Sequence, residues 1–158
     1  MTSPAPAVRV RTATSRDWES IERLLTDRRL PTDGARDHLL GFVVATRGPS
    51  LLGCAGVERY GDVGLLRSVA VTGDVRARGI GTQLVRVMIE RARNLGLREL
   101  YVLTTTAAAY FPRFGFETIE REALPRSLAA SEELRGACPA SAVAMRLTLR
   151  ARARSKGV

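Results

Sequence analysis

The chain has 158 residues, and its hydrophobic and charged fractions, 45% and 26%, are those of an ordinary globular protein rather than a disordered one. Its net charge of +9 would attract polyanions, but the basic residues are spread along the sequence. No apolar run approaches the ~20 residues of a membrane span, and the first residues lack the pattern of a secretory signal, so we expect a cytoplasmic protein.

The sequence predicts one domain over residues 8–149, between a flexible tail at 1–7 and a basic tail at 150–158. Alternating apolar and polar residues over 7–14 predict a strand. Ser15 can cap a helix that follows and that ends at Pro31. Short turns join the next three predicted strands into an antiparallel meander, over residues 40–46, 51–60 and 64–72.

The second half predicts a helix over 79–95, from its apolar spacing, and a strand over 99–106. A strand, helix and strand in this order indicate a parallel crossover. Further helices are predicted around Pro112 and over 124–137, with strands over 116–121 and 141–149. The expected class is therefore α/β, with a mixed central sheet of six to seven strands, antiparallel at first and parallel later, flanked by about four helices.

The loop before the second long helix carries the clearest functional signal, DVRARGIGTQL over residues 74–84. Main-chain N–H groups of such a loop and of the first helical turn converge on one positive point, where a phosphate can bind. Gly79 and Gly81 let the main chain come close to the ligand, and Arg76 and Arg78 add charge. The spacing excludes a P-loop, which needs GxxxxGK, and a dinucleotide fingerprint, whose third glycine is replaced by Leu84.

The longer span VAVTGDVRARGIG, residues 69–81, resembles the cofactor motif of the GNAT acyltransferase superfamily. The resemblance implies the fold and acetyl-coenzyme A as donor. It also implies that Val69, Ala70 and Val71 bind the pantetheine arm through the main chain. The loop residues that it implies for the pyrophosphate are Arg76, Ala77, Arg78, Gly79, Ile80, Gly81 and Thr82. Thr104 occupies a slot near the coenzyme where family members often have asparagine.

Three further blocks are similar to the small GNAT proteins described as arsenic-resistance N-acetyltransferases. They are LLRSVAV from Leu65, LYVLTTTAAAYFPRFGF from Leu100 and LRGACPASAVAMRL from Leu134. This resemblance implies that the acceptor is the amine of a small molecule, such as an amino-acid-like toxic compound or an arsenical.

Acetyl transfer needs a neutral amine, a donor for the developing oxyanion and a proton for the leaving thiolate. Glu58 is the candidate base or ammonium ligand, because it ends a strand among apolar neighbours where burial would favour that role. The alternative is an exposed carboxylate paired with Arg59 or Arg67.

The acid is harder to identify. Many family members have a tyrosine four residues before the glycine of the GF pair, but here that position is Phe111 and the tyrosine is Tyr110. One residue is about 100° of helical rotation, so Tyr110 can act only if the turn is distorted. The alternatives are water, a thiolate that leaves unassisted, and a purely structural Tyr110 at the edge of the core.

Arg67 and Thr105 are candidate substrate residues. Arg67 and Ser68 should point to opposite faces of their strand, and Arg67 is either a carboxylate ligand in the cleft or a surface residue. Thr105 follows the parallel strand where the sheet splays. His38 is expected at the surface, and Cys54 and Cys138 are expected as two reduced, partly buried thiols without a metal.

Two other functions stay open. Phe111 in the acid position suggests a coenzyme-binding module without turnover, and the +9 charge suggests a protein or ribosome-associated target. The sequence lacks the clustered basic face and stacking aromatics of RNA-binding proteins, so we expect no nucleic-acid partner. We expect a small-molecule amine as partner, no membrane, and a monomer or homodimer.

Overall fold

A computed structural model describes residues 7–73 and 79–149. Their seven strands are β1 Val8–Thr12, β2 Phe42–Arg47, β3 Ser50–Tyr60, β4 Val63–Val71, β5 Glu99–Thr104, β6 Glu117–Ile119 and β7 Val143–Thr148. The two α-helices in these ranges are α1 Trp18–Asp27 and α2 Ile80–Asn94, and other helical segments are short. None of the described helices is long and apolar enough to cross a membrane.

The strands form one sheet in the order β1-β2-β3-β4-β5-β7-β6. Neighbouring strands run antiparallel except β4 and β5, whose parallel pairing follows from the α2 crossover between them. The predicted α/β class and mixed sheet, with an antiparallel first half and one parallel pair, are confirmed.

The two α-helices cover opposite faces of the sheet, because alternate residues of a strand point to opposite sides. In β2, Val43 and Ala45 belong to the apolar cluster that contains the buried face of α2, whereas Phe42 and Val44 belong to the cluster under α1. A third cluster lies under the segment 124–142, where Leu128 is completely buried.

The start of α1 differs from the prediction. Ser15 does not cap the helix; instead a short 3₁₀ turn, Ser15–Asp17, precedes it. The Asp17 carboxylate accepts the Thr14 main-chain N–H at 2.7 Å and also binds the Arg11 guanidinium at 2.7 and 2.9 Å. A carboxylate here satisfies an otherwise unpaired donor at the positive end of the helix.

The α-helix predicted over 124–137 is wrong. Arg126–Ala130 is a 3₁₀ turn, and Glu133–Ala137 is a single wide turn in which Gly136 has a φ of 120°. Such a conformation is open to glycine but breaks a helix. The wide turn returns the chain so that the Cys138 N–H donates to the Glu133 carbonyl at 3.1 Å.

A β-bulge in β4 shapes the middle of the sheet. Ala55 of β3 lies opposite two residues of β4, Ser68 and Val69, and Ser68 has a φ of 58°, which non-glycine residues rarely adopt. The expectation that Arg67 and Ser68 point to opposite faces is therefore wrong. The Arg67 Nε donates to the Ser68 hydroxyl at 3.0 Å, and both residues line one cavity.

Candidate active site

The sheet opens between β4 and β5. Their parallel pairing covers residues 63–66 of β4 and 99–102 of β5, and after the bulge the two strands part. In the described part of the sheet, the β5-facing main chain of Val69, Ala70 and Val71 therefore has no strand partner. A free strand edge of this kind can pair with an extended ligand through main-chain hydrogen bonds.

Two cavities occupy this opening. The first, which we name the helix cavity, has a volume of about 520 Å³ and lies at the start of α2. Its lining combines the free end of β4, the first turn of α2 and the segment after β5, and includes Val69, Ala70, Val71, Gly79, Gly81, Thr82, Thr106, Ala107, Tyr110 and Phe111. Arg28 and Arg113 also line it, which gives it a positive rim.

The second, the turn cavity, has a volume of about 460 Å³ and lies on the side of the wide turn after Glu133. It is lined by the end of the α1 loop, the bulge, the end of β5 and that turn, and includes Arg29, Arg67, Ser68, Thr104, Thr105, Glu133, Cys138 and Pro139. The two cavities share Leu30, Val69, Thr106, Ala107 and Phe111. They are thus two arms of one cleft, joined where β4 and β5 part.

The glycines at the start of α2 keep the helix cavity open. Gly79 caps the helix with a φ of 74° in the left-handed region. A Cβ on Gly81 would lie 3.3 Å from Val71 Cγ2 and 3.5 Å from the Tyr110 hydroxyl. The two glycines therefore bring unpaired N–H groups of the helix to the wall of the cavity. Ile80 between them is buried in the core, so only its main chain is available to a ligand.

Tyr110 and Phe111 both reach the helix cavity, because the chain there forms a tight 3₁₀ turn, Phe111–Phe114, instead of an α-helix. The Tyr110 hydroxyl is 2.9 Å from the Thr82 hydroxyl, and its ring lies under the Arg113 guanidinium at 4.2 Å. Phe111 is almost completely buried and forms part of the wall between the two cavities. The distorted turn that Tyr110 would need is thus present.

Glu58 and Arg67 form a buried ion pair across β3 and β4, at 2.6 Å, with side chains at most 1% exposed. Arg67 is therefore not a surface residue, and Glu58 is not an exposed carboxylate. Arg67 also donates to the Ser68 hydroxyl and to the carbonyl oxygens of Asp33 and Pro31, which uses four of its five N–H donors. Arg67 lines the turn cavity, whereas Glu58 lies behind it and is not among the lining residues.

A second buried carboxylate, Glu133, faces the turn cavity. Its Oε1 lies 3.5 Å from the Arg67 Nε, and the residue is 4% exposed. Burial raises the pKa of Glu133 to about 7; Arg67 opposes this shift, and the negative charge of Glu58 adds to it. Glu133 was not among the predicted site residues, because it lies in a segment that was predicted as an ordinary helix and that carries no motif.

Other groups surround this pair of acids. The Tyr60 hydroxyl donates to Glu58, and burial, with that hydrogen bond, raises the pKa of Tyr60 to about 12. His38 is half-buried, with its Nε2 3.6 Å from the Glu58 Oε1, rather than fully at the surface. Burial also raises the pKa of the Cys138 thiol to about 12. Cys54 and Cys138 are both free and buried, in line with the prediction.

The threonines at the end of β5 and just after it differ in their availability to a ligand. The Thr104 hydroxyl is buried and accepts the Ala107 N–H at 2.9 Å, so it holds the turn, while Thr105 is exposed at the mouth of the turn cavity. Arg76, Ala77 and Arg78 lie outside the described residues. Among the residues described, no group of three or more His, Cys, Asp and Glu side chains could hold a metal ion.

Curated proteins are similar in sequence to part of this chain. In the amino-acid acetyltransferases of Pseudomonas aeruginosa and Aeromonas salmonicida, 91 and 86 residues align with 36% and 35% identity, over 56% and 53% of this chain. The chain spans about a fifth of the length of these curated relatives, 21% and 20%.

Solved structures share the fold. N-acetylglutamate synthase from Neisseria gonorrhoeae, complexed with coenzyme A and N-acetyl-glutamate, is 24% identical with a TM-score of 0.78, over 91% of this chain and 35% of that one. Rv2747 from Mycobacterium tuberculosis, in complex with CoA, is 23% identical with a TM-score of 0.75, over 90% and 99% of the two chains.

The family profile described as acetyltransferase (GNAT) family matches residues 8–116, which include β1 to β5, the start of α2 and both aromatic residues of the cleft. This match covers more than half of the chain and contains the motif that the sequence analysis singled out. The chain therefore belongs to the acetyltransferase (GNAT) family.

Proposed function

We propose that this acetyltransferase moves the acetyl group of acetyl-coenzyme A to the amine of a small, amino-acid-like molecule. The observation that carries the proposal is the division of one cleft into two cavities with a shared wall at Val69, Ala107 and Phe111. A donor in the helix cavity and an acceptor in the turn cavity would meet at that wall. Holding two reactants in this way supplies a large part of the rate enhancement in group transfer.

The helix cavity has the features that a coenzyme A donor requires. The free edge of β4, residues 69–71, can pair with the amide groups of the pantetheine arm. The glycine-framed start of α2 presents N–H groups and the positive end of the helix dipole to a pyrophosphate. Thr82 adds a hydroxyl, and Arg76 and Arg78 in the preceding loop would add positive charge. Several solved structures of similar fold hold coenzyme A.

The turn cavity suits a small polar amine. Its volume of about 460 Å³ is that of a small-molecule site. Arg29 at the mouth can bind a carboxylate, because its side chain is exposed there, while Arg67 is already held by the protein. Glu133 can attract an ammonium group. An α-amino acid carries both charges, and the aligned relatives are named amino-acid acetyltransferases.

The finer identity of the acceptor rests on the sequence alone. The resemblance to arsenic-resistance N-acetyltransferases adds amino-acid analogues that contain arsenic to the compounds that merit testing. Thr105 at the cavity mouth is the proposed neighbour of the variable part of such a molecule.

Tyr110 is the proposed proton donor for the departing thiolate. Its hydroxyl reaches the helix cavity beside Thr82, whereas Phe111 has no proton to give. Glu58 is proposed to act through Arg67: its carboxylate fixes the guanidinium, which in turn holds the α1 loop by two main-chain oxygens.

The test uses the purified protein with acetyl-coenzyme A and three sets of amines: α-amino acids including an arsenical analogue, polyamines, and lysine-containing peptides. We expect calorimetry to show binding of acetyl-coenzyme A and a thiol assay to show release with at least one α-amino acid. Binding without transfer to any amine would support the non-catalytic coenzyme-binding module, and failure to bind would contradict both functions.

A further inference from the structure

The turn cavity contains one acidic group whose role the GNAT motif does not define. Among the described residues that line this cavity, Glu133 is the only carboxylate. The other lining groups with exchangeable protons or lone pairs are hydroxyls, guanidinium groups and the Cys138 thiol, whose high pKa keeps it protonated near neutral pH.

We propose that Glu133 accepts the proton of the acceptor's ammonium group, and that the Glu58–Arg67 pair positions it for this step. The proposal rests on the proposed acetyl transfer and names the proton acceptor for it. Glu133 lines the same cavity as Val69, Ala107 and Phe111 at the junction, whereas Glu58 is separated from that cavity by the Arg67 guanidinium.

The fold holds this side chain toward the cavity. The Ser131 hydroxyl accepts the Glu133 main-chain N–H at 3.2 Å, and the Glu133 carbonyl accepts the N–H of Cys138 at the end of the wide turn. Gly136, with its φ of 120°, allows the return of the chain. These contacts fix the main chain of Glu133, and burial of its side chain beside Arg67 restricts the rotamers that the carboxylate can adopt.

The charges around Glu133 suit a proton acceptor. Arg67 is matched closely by Glu58 at 2.6 Å, and its Nε is 3.5 Å from Glu133, so the guanidinium compensates Glu133 only in part. Burial then raises the pKa of Glu133 to about 7, close to the value at which a general base works best at neutral pH. The remaining ionisable groups nearby are Cys138 and Arg135 on its own turn, Arg29 across the cavity, Arg121 near Cys138, and Tyr60 and His38 beside Glu58.

The proton balance is complete without another reactant. The ammonium group gives one proton to the Glu133 carboxylate and becomes a neutral amine. Its nitrogen forms the new N–C bond to the acetyl carbon as the C–S bond breaks, and the second amine proton passes to the thiolate through Tyr110 or water. Glu133 finally releases its proton to solvent, so the net products are the amide, the thiol and one proton.

The test compares Glu133→Gln with the wild type across pH 5–10, using the α-amino acid that the wild type acetylates best. In the wild type we expect kcat/KM to rise with pH to a plateau that begins near 7, as Glu133 ionises. The variant should lose roughly 10²–10⁴-fold at neutral pH. Its remaining rate should climb about tenfold per pH unit up to the pKa of the amine, because only free amine then reacts.

Three variants separate this role from a structural one. Glu132→Gln removes an exposed neighbouring carboxylate and should behave as the wild type. Glu133→Asp should keep the limb near pH 7 at a lower rate. His38→Asn should also keep it, because His38 lies beside Glu58 and outside the lining of the turn cavity.

The proposal is overturned if Glu133→Gln keeps the wild-type pH limb and is merely slower at every pH. If the wild type binds acetyl-coenzyme A but acetylates no amine, the proposed function fails first. In that case a ¹³C NMR titration of the glutamate side chains, assigned with Glu133→Gln, still decides: a Glu133 carboxyl with the ordinary pKa of a glutamate would refute it.

Discussion

Gly81 shows how one residue can decide whether the helix cavity stays open. Its missing Cβ leaves room between the first turn of α2, Val71 on β4 and the Tyr110 hydroxyl. Any larger side chain would enter the helix cavity and push the helix start from the strand edge. The two glycines of the loop predict this close approach of the main chain from the sequence.

We therefore expect Gly81→Val to weaken acetyl-coenzyme A binding at least tenfold, a loss of about 1.4 kcal/mol of binding free energy. Calorimetric titration of the variant measures this. Gln83→Val places the same β-branched residue on the exposed side of α2, outside the cavity, and should leave the affinity unchanged. Equal affinities for both variants would mean that the phosphate site has been placed wrongly.

A variant of Tyr110 tests whether this residue donates the proton to the departing thiolate of coenzyme A. Tyr110→Phe keeps the ring that packs against Phe111 and Phe114 but removes the hydroxyl that reaches the cavity. We expect kcat to fall by about 10²-fold, the lower end of general acid catalysis, because a thiolate is a fair leaving group by itself. The KM for acetyl-coenzyme A should change little.

Thr82→Val is the matched variant, because it removes the hydrogen-bond partner of Tyr110 while the phenol remains. A kcat loss in Thr82→Val as large as that in Tyr110→Phe would show that the hydroxyl pair holds structure and that Tyr110 is not the acid.

At the scale of elements, local sequence patterns predicted the regular strands and α2 but did not predict the bulge in β4 or the wide turn after Glu133. The sheet strands and α2 follow from alternation and from helical spacing. The bulge at Ser68 carries no glycine to announce it, and the turn from Glu133 to Ala137 resembles a helix in composition. Arg67 contacts both elements, its neighbour Ser68 at 3.0 Å and the distant Glu133 at 3.5 Å, and a local pattern cannot reveal the second contact. They are also the elements that shape the turn cavity.

The start of α1 gives a stability prediction. The hydrogen bonds from Arg11 and Thr14 lower the pKa of Asp17 from 3.8 to about 2. Since the folded pKa lies below the unfolded one, the carboxylate stabilises the fold above pH 4, and this contribution disappears as the pH falls from 4 to 2. We expect Asp17→Asn to reduce the free energy of unfolding by about 1 kcal/mol at pH 7.

Urea unfolding at several pH values measures this effect, and Asp27→Asn at the exposed end of α1 serves as control. The difference between Asp17→Asn and the wild type should shrink below pH 4. A difference that stays constant down to pH 2.5 would show that the Asp17 charge contributes nothing to stability.

At the scale of the whole molecule, the feature to explain is the net charge of +9. The described cleft accounts for part of it through Arg28, Arg29 and Arg113, which line the cavities, whereas the charge of Arg67 is matched by Glu58. The basic run after residue 149 contributes further charge. On the present account that run is not needed for acetyl transfer.

Deleting residues 150–158 should therefore leave acetyl-coenzyme A affinity and turnover unchanged within twofold. The full chain should show no binding to single-stranded RNA at about 0.15 M salt by fluorescence anisotropy. Salt-sensitive RNA binding that is lost on deletion would favour a ribosome-associated target instead.

The same scale shows what the sequence could and could not establish about the site. The residues predicted to bind the coenzyme are close together along the chain, because a phosphate-binding loop must be continuous in sequence, and those of them that the structure describes at 69–71 and 79–82 lie around the helix cavity. Their role in binding the coenzyme stays a prediction. The turn cavity, the proposed acceptor site, combines the α1 loop, β4, the end of β5 and the turn after Glu133, which are far apart along the chain. Glu58 lies in a strand that the sequence predicts, next to apolar residues, and was therefore a candidate. Glu133 approaches Arg67 only in the folded chain and lies in a segment without a motif, so the sequence did not indicate it.

A crystal structure of the protein with coenzyme A tests the central claim most directly. We predict that the pantetheine arm pairs with residues 69–71 of β4, that the pyrophosphate lies at the start of α2, and that the sulfur lies at the shared wall near Phe111, facing the turn cavity. A coenzyme bound elsewhere, or one whose sulfur is sealed from the cavity that holds Glu133, would contradict the account.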